Sequence, residues 1–70
     1  MKMELTLGEK IRNLREEKNL TQKILGKELN MTQRKLSYIE NNQYEPSIED
    51  VKAICLYFDV SADWLLDLNE

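Results

Sequence analysis

The sequence predicts an all-α protein, a compact domain of five short helices spanning residues 1–70. Three observations carry that expectation. Five hydroxyl residues, Thr6, Thr21, Thr32, Ser47 and Ser61, each stand at the head of a segment whose apolar residues recur at helical spacing. No segment shows the alternation of a half-buried strand, and no repeat, linker or low-complexity tract divides the chain. A chain of 70 residues buries only about 60% of the surface its unfolded form exposes, so the core must be assembled from several small elements.

The first helix opens at Thr6, with Glu9 three positions on to complete a capping box. Leu7, Ile11 and Leu14 form its inward stripe, leaving Glu9, Lys10, Arg12, Glu16 and Glu17 for solvent. Asn19 closes it, as a residue that tolerates the left-handed backbone of a helix end. Thr21 caps the second helix, whose inward face is Leu25 and Leu29. Gly26 beside them implies a close backbone neighbour, because glycine inside a helix costs about 1 kcal/mol relative to alanine. Ile24, off that stripe, has no explanation from the pattern. Asn30 supplies a turn and Thr32 caps the third helix, with Leu36 and Ile39 inward and Gln33, Arg34, Ser37 and Tyr38 on other faces. Asn41 and Asn42 end it. After a loop from Gln43 to Pro46, Ser47 and Asp50 form the capping box of the fourth helix. Its stripe, Ile48, Val51, Ile54, Cys55 and Phe58, falls within an arc of about 120°, with Leu56 and Tyr57 off it. Ser61 caps a last short helix containing Trp64, Leu65 and Leu66.

Composition narrows the function classes. One cysteine, Cys55, forms no internal disulfide and is expected in the core; without histidine there is no conventional zinc set. The same lack, with no phosphate-loop or metal spacing, leaves no catalytic set to assemble, so no enzyme and no cofactor are expected. No export signal and no apolar run of about 20 residues is present, which points to a cytoplasmic protein that does not enter a membrane. The net charge of −3 is unevenly placed: residues 1–43 hold nine Lys or Arg against six acids, whereas 44–70 hold Lys52 against seven. The two ends are therefore expected to face different partners.

Two short helices meeting at a tight turn with a small residue at the contact, over about residues 21–42, have the layout of a helix-turn-helix unit. The run LGEKIRNLREEKNLTQ, the unit TQKILGKELNMTQRKLSYIENN, the loop ending EPS and the close VSADWLL together resemble the Cro/CI (XRE) phage-repressor family over nearly the whole chain. The resemblance implies a lambda-repressor-like domain that binds double-stranded operator DNA, commonly as a homodimer on an inverted repeat, and acts as a transcriptional regulator, a repressor above all. It implies base contacts from Gln33, Arg34 and Tyr38 on the third helix, and a phosphate contact from Gln22. The chemistry agrees: glutamine pairs with adenine N6 and N7, arginine with guanine O6 and N7, and tyrosine meets a thymine methyl or a phosphate. Thr21 and Thr32, at helix N-termini, with Lys35 and Asn41, complete the expected phosphate set; Lys23 and Lys27 add nonspecific charge.

The chain departs from the family in the loop after the third helix. Asn42 stands where glycine is common, and Gln43, Tyr44 and Glu45 replace basic residues. A weaker, salt-sensitive grip is expected on that side. Leu56, Tyr57, Trp64 and Leu66 are expected to form a dimer interface. The competing reading is a protein-interaction module of the same fold, such as an antirepressor or antitoxin, binding a protein partner through this acidic, apolar end.

Overall fold

The computed structural model describes residues 5–68. Among them are five helices and no strand: α1 (Leu7–Glu17), α2 (Gln22–Glu28), α3 (Gln33–Glu40), α4 (Ile48–Phe58) and α5 (Ala62–Leu66). Each begins where its hydroxyl residue requires. Thr6, Thr21, Thr32, Ser47 and Ser61 all accept a hydrogen bond from the N–H three residues on, and Thr6 with Glu9 and Ser47 with Asp50 close reciprocal capping boxes.

The chain leaves each helix through an asparagine or aspartate in the left-handed region: Asn19, Asn30, Asn42, Asp59 and Asp67 have φ between 57° and 61°. The N–H of the following residue then bonds the carbonyl five positions back, as from Leu20 to Arg15 (3.2 Å), Met31 to Gly26 (2.8 Å) and Val60 to Cys55 (3.1 Å), which satisfies carbonyls a helix end would otherwise orphan. Asparagine and aspartate bear this conformation because their short polar side chains tolerate it. The two glycines are thereby released for another task, close approach of backbones. A Cβ on Gly26 would stand 2.9 Å from the carbonyl oxygen of Met31, so the α2–α3 turn passes where a side chain would be, as the sequence implied. A Cβ on Gly8 would collide with the carbonyl oxygen of Glu40 and lie 2.6 Å from that of Ile39, so the first turn of α1 abuts the last turn of α3. Asn42 fastens this junction: its Oδ1 accepts from the Gly8 N–H (3.0 Å) and its Nδ2 donates to Thr6 Oγ1 (2.8 Å).

The core is Ile11, Leu25, Leu29, Leu36, Ile39, Val51, Ile54, Phe58 and Leu65, drawn from every helix and the α2 cap, with Leu7, Leu14, Leu20, Met31, Cys55 and Tyr57 packed around it. Three residues depart from their expected places. Ile48, expected inward, is 80% exposed, because it opens α4 and its side chain points back past the core toward the loop. Lys10, expected in solvent, is buried: its Nζ donates to the Trp64 carbonyl (2.6 Å) at the C-terminal end of α5 and lies 5.0 Å from the centre of the Trp64 ring. Its stem covers apolar surface while its charge meets the negative end of a helix. Cys55, expected in the core, sits at its margin, where burial still pushes the thiol up.

Gly8→Ala tests the α1–α3 contact. Its obstacle is backbone, which cannot swing aside, so a loss of about 1–3 kcal/mol is expected, read as a fall in thermal midpoint of roughly 4–8 °C per kcal/mol. An unchanged midpoint would show that the two helices separate without cost.

Candidate nucleic-acid interface

The α2–α3 pair is held by an ionic clamp that sequence spacing did not single out. Glu40, at the end of α3, is 1% exposed. Its carboxylate accepts from Arg15 Nε (2.6 Å) and Arg15 Nη2 (3.0 Å) on α1, and from Gln22 Nε2 (3.0 Å) at the start of α2. Arg12 Nε lies 3.5 Å from the same carboxylate, and Arg12 Nη2 donates to Asn41 Oδ1 (2.8 Å). Arg15 Nη1 also donates to the Leu20 carbonyl at 2.8 Å. The hydrogen bonds to Glu40 raise Arg15 above its ordinary value; burial opposes this, and the charges of Glu40 and Glu16 add to it. A signal for the clamp was present: Arg15 is four residues from Ile11, and Glu40 four from Leu36, so both occupy inward stripe positions where a lone charge demands a partner.

The clamp changes the surroundings of two expected phosphate contacts. Gln22 turns one amide N–H to Glu40, leaving its second free. Asn41 is engaged on both sides, accepting from Arg12 and donating to the Ser37 carbonyl (3.0 Å). Lys35 is also drawn aside: its Nζ lies 3.0 Å from Asp50 on α4 and 5.7 Å from the centre of the Tyr44 ring. Burial alone would raise the Asp50 carboxyl, but the hydrogen bonds from Lys35 and Ser47 and the Lys35 charge outweigh it and hold the group below the ordinary carboxylate value. The hydroxyls of Thr21 and Thr32 take the N–H groups of Ile24 (3.1 Å) and Lys35 (3.0 Å). The first two N–H groups of α2 and α3 lie outside the helical ladders, which makes each N-terminus receptive to an anion.

On the outer face of α3, Gln33 and Arg34 are exposed in the first turn and Tyr38 is 40% exposed one turn later. Arg34 Nε donates to the Tyr38 hydroxyl at 3.2 Å. These three side chains share a face turned away from the core, with Lys23 and Lys27 exposed on neighbouring α2. The four residues expected at a dimer interface differ in exposure and setting. Leu56 is 81% exposed. Tyr57 is half-buried, its ring edge-on to Phe58 with centres 5.0 Å apart. Trp64 lines a groove with Leu5, Lys10, Leu14 and Val60, whereas Leu66 lines another with Leu7, Pro46 and Ile48.

A family model described as a helix-turn-helix domain matches residues 8–70. The transcriptional activator BcrR of Enterococcus faecalis is 35% identical over 66 residues, covering 94% of this chain and 32% of that protein, so the chain spans about a third of that relative's length. Among solved structures, the P22 c2 repressor in complex with a synthetic operator matches with a TM-score of 0.83 and 29% identity over 89% of this chain and 94% of that one. SinR, a master regulator of biofilm formation, matches in its complex with DNA with a TM-score of 0.79 and 33% identity over 89% of this chain and 100% of that one. SinR also matches in a complex with the protein SinI, with a TM-score of 0.80 and 32% identity over 89% of this chain and 61% of that one.

Arg15→Met leaves the buried Glu40 carboxylate with Gln22 and the more distant Arg12 alone and is expected to remove up to about 3–5 kcal/mol of stability in urea denaturation. Combining it with Glu40→Leu removes both charges and should recover most of that loss. A double variant no more stable than the single one would mean that the unpaired charge is not what destabilises.

Proposed function

The chain belongs to the Cro/CI (XRE) family of helix-turn-helix domains, a family of DNA-binding transcription regulators, and from that premise we propose that it reads an operator by laying α3 in the major groove. The observation that carries this reading is the outer side of α3, where Gln33, Arg34 and Tyr38 stand exposed while the buried Leu36, Ile39 and Glu40 fix the helix to the domain. Gln33 is assigned to adenine and Arg34 to guanine, with Tyr38 beside them. The open N-termini of α2 and α3, with Thr21 and Thr32, receive phosphates, and Gln22 contributes its free N–H. Lys35 and Asn41 join this phosphate set only by giving up or sharing their partners Asp50 and Arg12. Binding is therefore strongly salt-dependent, and the acidic second half of the chain faces away from the duplex.

We place the domain in the cytoplasm with the DNA, as a homodimer that pairs through the Leu56, Trp64 and Leu66 end, with Tyr57 behind them. The P22 c2 relative is named a repressor and BcrR an activator. A domain that simply occupies its operator represses wherever that site overlaps a promoter, and this is the mode we assign. A second reading, a module that binds a protein partner, is favoured by the exposed apolar residues Leu56, Ile48 and Leu68 and by the SinR–SinI precedent.

Selection of bound duplexes from a random pool is expected to return an inverted repeat with half-site centres about one DNA turn, roughly 34–36 Å, apart. If no duplex survives nonspecific competitor at low salt, the protein-binding reading replaces this one. On the selected site, Gln33→Ala should relax preference at one base pair per half-site and cost about 1–3 kcal/mol. A uniform loss with unchanged preference would reduce Gln33 to a positioning role.

A further inference from the structure

We propose that Tyr38 determines what Arg34 reads: its hydroxyl holds the Arg34 side chain so that only the two terminal Nη groups face the duplex, which selects guanine. The proposal rests on the reading that α3 enters the major groove, and deepens it by giving Tyr38 a role through Arg34.

The geometry is that of a pinned guanidinium. Arg34 and Tyr38 are four residues apart on α3 and so share a face. Arg34 Nε donates to the Tyr38 hydroxyl oxygen at 3.2 Å, and the central guanidinium carbon lies 5.8 Å from the centre of the Tyr38 ring. The hydrogen bond engages Nε and restricts rotation of the guanidinium, and its charge lies within cation–π range of the ring. An unrestrained arginine presents a pair of donors in two ways, from its side through Nε and one Nη, or from its end through both Nη groups. With Nε engaged, the end-on pair remains. Two parallel donors fit two adjacent acceptors, and guanine O6 and N7 are such a pair; adenine sets a donor, N6, beside its N7, and arginine has no acceptor to meet it.

The surroundings leave this role to Arg34. Thr32, Arg34, Lys35, Tyr38 and Tyr44 line an open cleft of about 400 Å³ on the outer side of α3. Of its two cations, Lys35 is directed to Asp50 at 3.0 Å, so the Arg34 guanidinium is the one left to meet a base. Ordering a long side chain before binding spares a factor of roughly 2–12 in affinity that would otherwise be lost on contact. Because the ordered donors make their paired contact with guanine and not with adenine, that factor falls on specificity.

The test is a double-mutant cycle on the selected duplex. Arg34→Ala first identifies the guanine it reads, as the position whose guanine preference is lost. Tyr38→Phe keeps the ring and removes only the hydroxyl, on an exposed site where the fold is not at stake; circular dichroism verifies this. Tyr38→Phe is expected to lower the guanine-over-adenine preference at that position by about 2- to 12-fold, to leave other positions unchanged, and to have no further effect in the Arg34→Ala background. Should its loss persist in full in that background, Tyr38 contacts DNA itself and the proposal is overturned; an unchanged guanine preference in Tyr38→Phe overturns it equally. A wild-type protein that selects no sequence refutes the DNA-reading function and this proposal with it. One that selects a site in which Arg34→Ala relaxes no guanine refutes this proposal alone.

Discussion

One buried carboxylate organises the half of the molecule that carries the candidate interface. Glu40 lies at the end of α3, yet its oxygens are filled from α1 by Arg15 and from α2 by Gln22. A single unpaired charge in this position would cost several kcal/mol, so the three helices are obliged to meet in one arrangement. Apolar packing alone tolerates sliding and repacking, because it has no direction. The two-pronged Arg15–Glu40 contact does not, since a planar fork must meet a planar carboxylate. Gly8 acts in the same place from the other side, admitting the α3 carbonyls to the first turn of α1. Orientation of α3 thus depends on hydrogen-bond geometry more than on buried area.

The same network shapes the electrostatics of the candidate interface. Charges that a count of lysines and arginines would assign to the duplex are partly committed within the domain: Arg15 and Arg12 to Glu40, Lys35 to Asp50, Lys10 to the end of α5. What remains outward on α2 and α3 is Lys23, Lys27 and Arg34, together with uncharged donors at two helix N-termini. Such a surface relies on placement of donors against the backbone more than on net charge, consistent with a chain that is acidic overall.

Much of the fold was legible because its signals are local. A hydroxyl cap with an acid three residues on, an asparagine at a helix end and a stripe of Leu and Ile are each decided within one turn of chain. Gly26 was legible for the same reason, its neighbour being the turn five residues away. Gly8 was not, because the backbone that demands it lies more than thirty residues on. Lys10 and Ile48 went astray for different reasons: Lys10 lies three residues after Leu7 and four before Leu14, on the inward stripe, where its charge finds the Trp64 carbonyl, whereas Ile48 opens α4, where periodicity assigns a face but no neighbour. The exposed face of α3 was legible as a set, Gln33, Arg34 and Tyr38. That Arg34 and Tyr38 hold one another, and that Gln22 turns to Glu40, are facts of side-chain direction that spacing does not contain.

The five residues of α5 are too few for a helix that stands by itself in water. Its order is borrowed from elsewhere: Leu65 is sunk in the core, and the Lys10 ammonium binds the backbone where the helix ends. Segments held by so few contacts open at far lower free energy than the whole domain does, and their amides exchange with solvent first. α5 is therefore expected to fray while α1, α2 and α3, joined through Glu40, remain shut. A neighbour that packs over Trp64 would be felt first as slower exchange in that final turn.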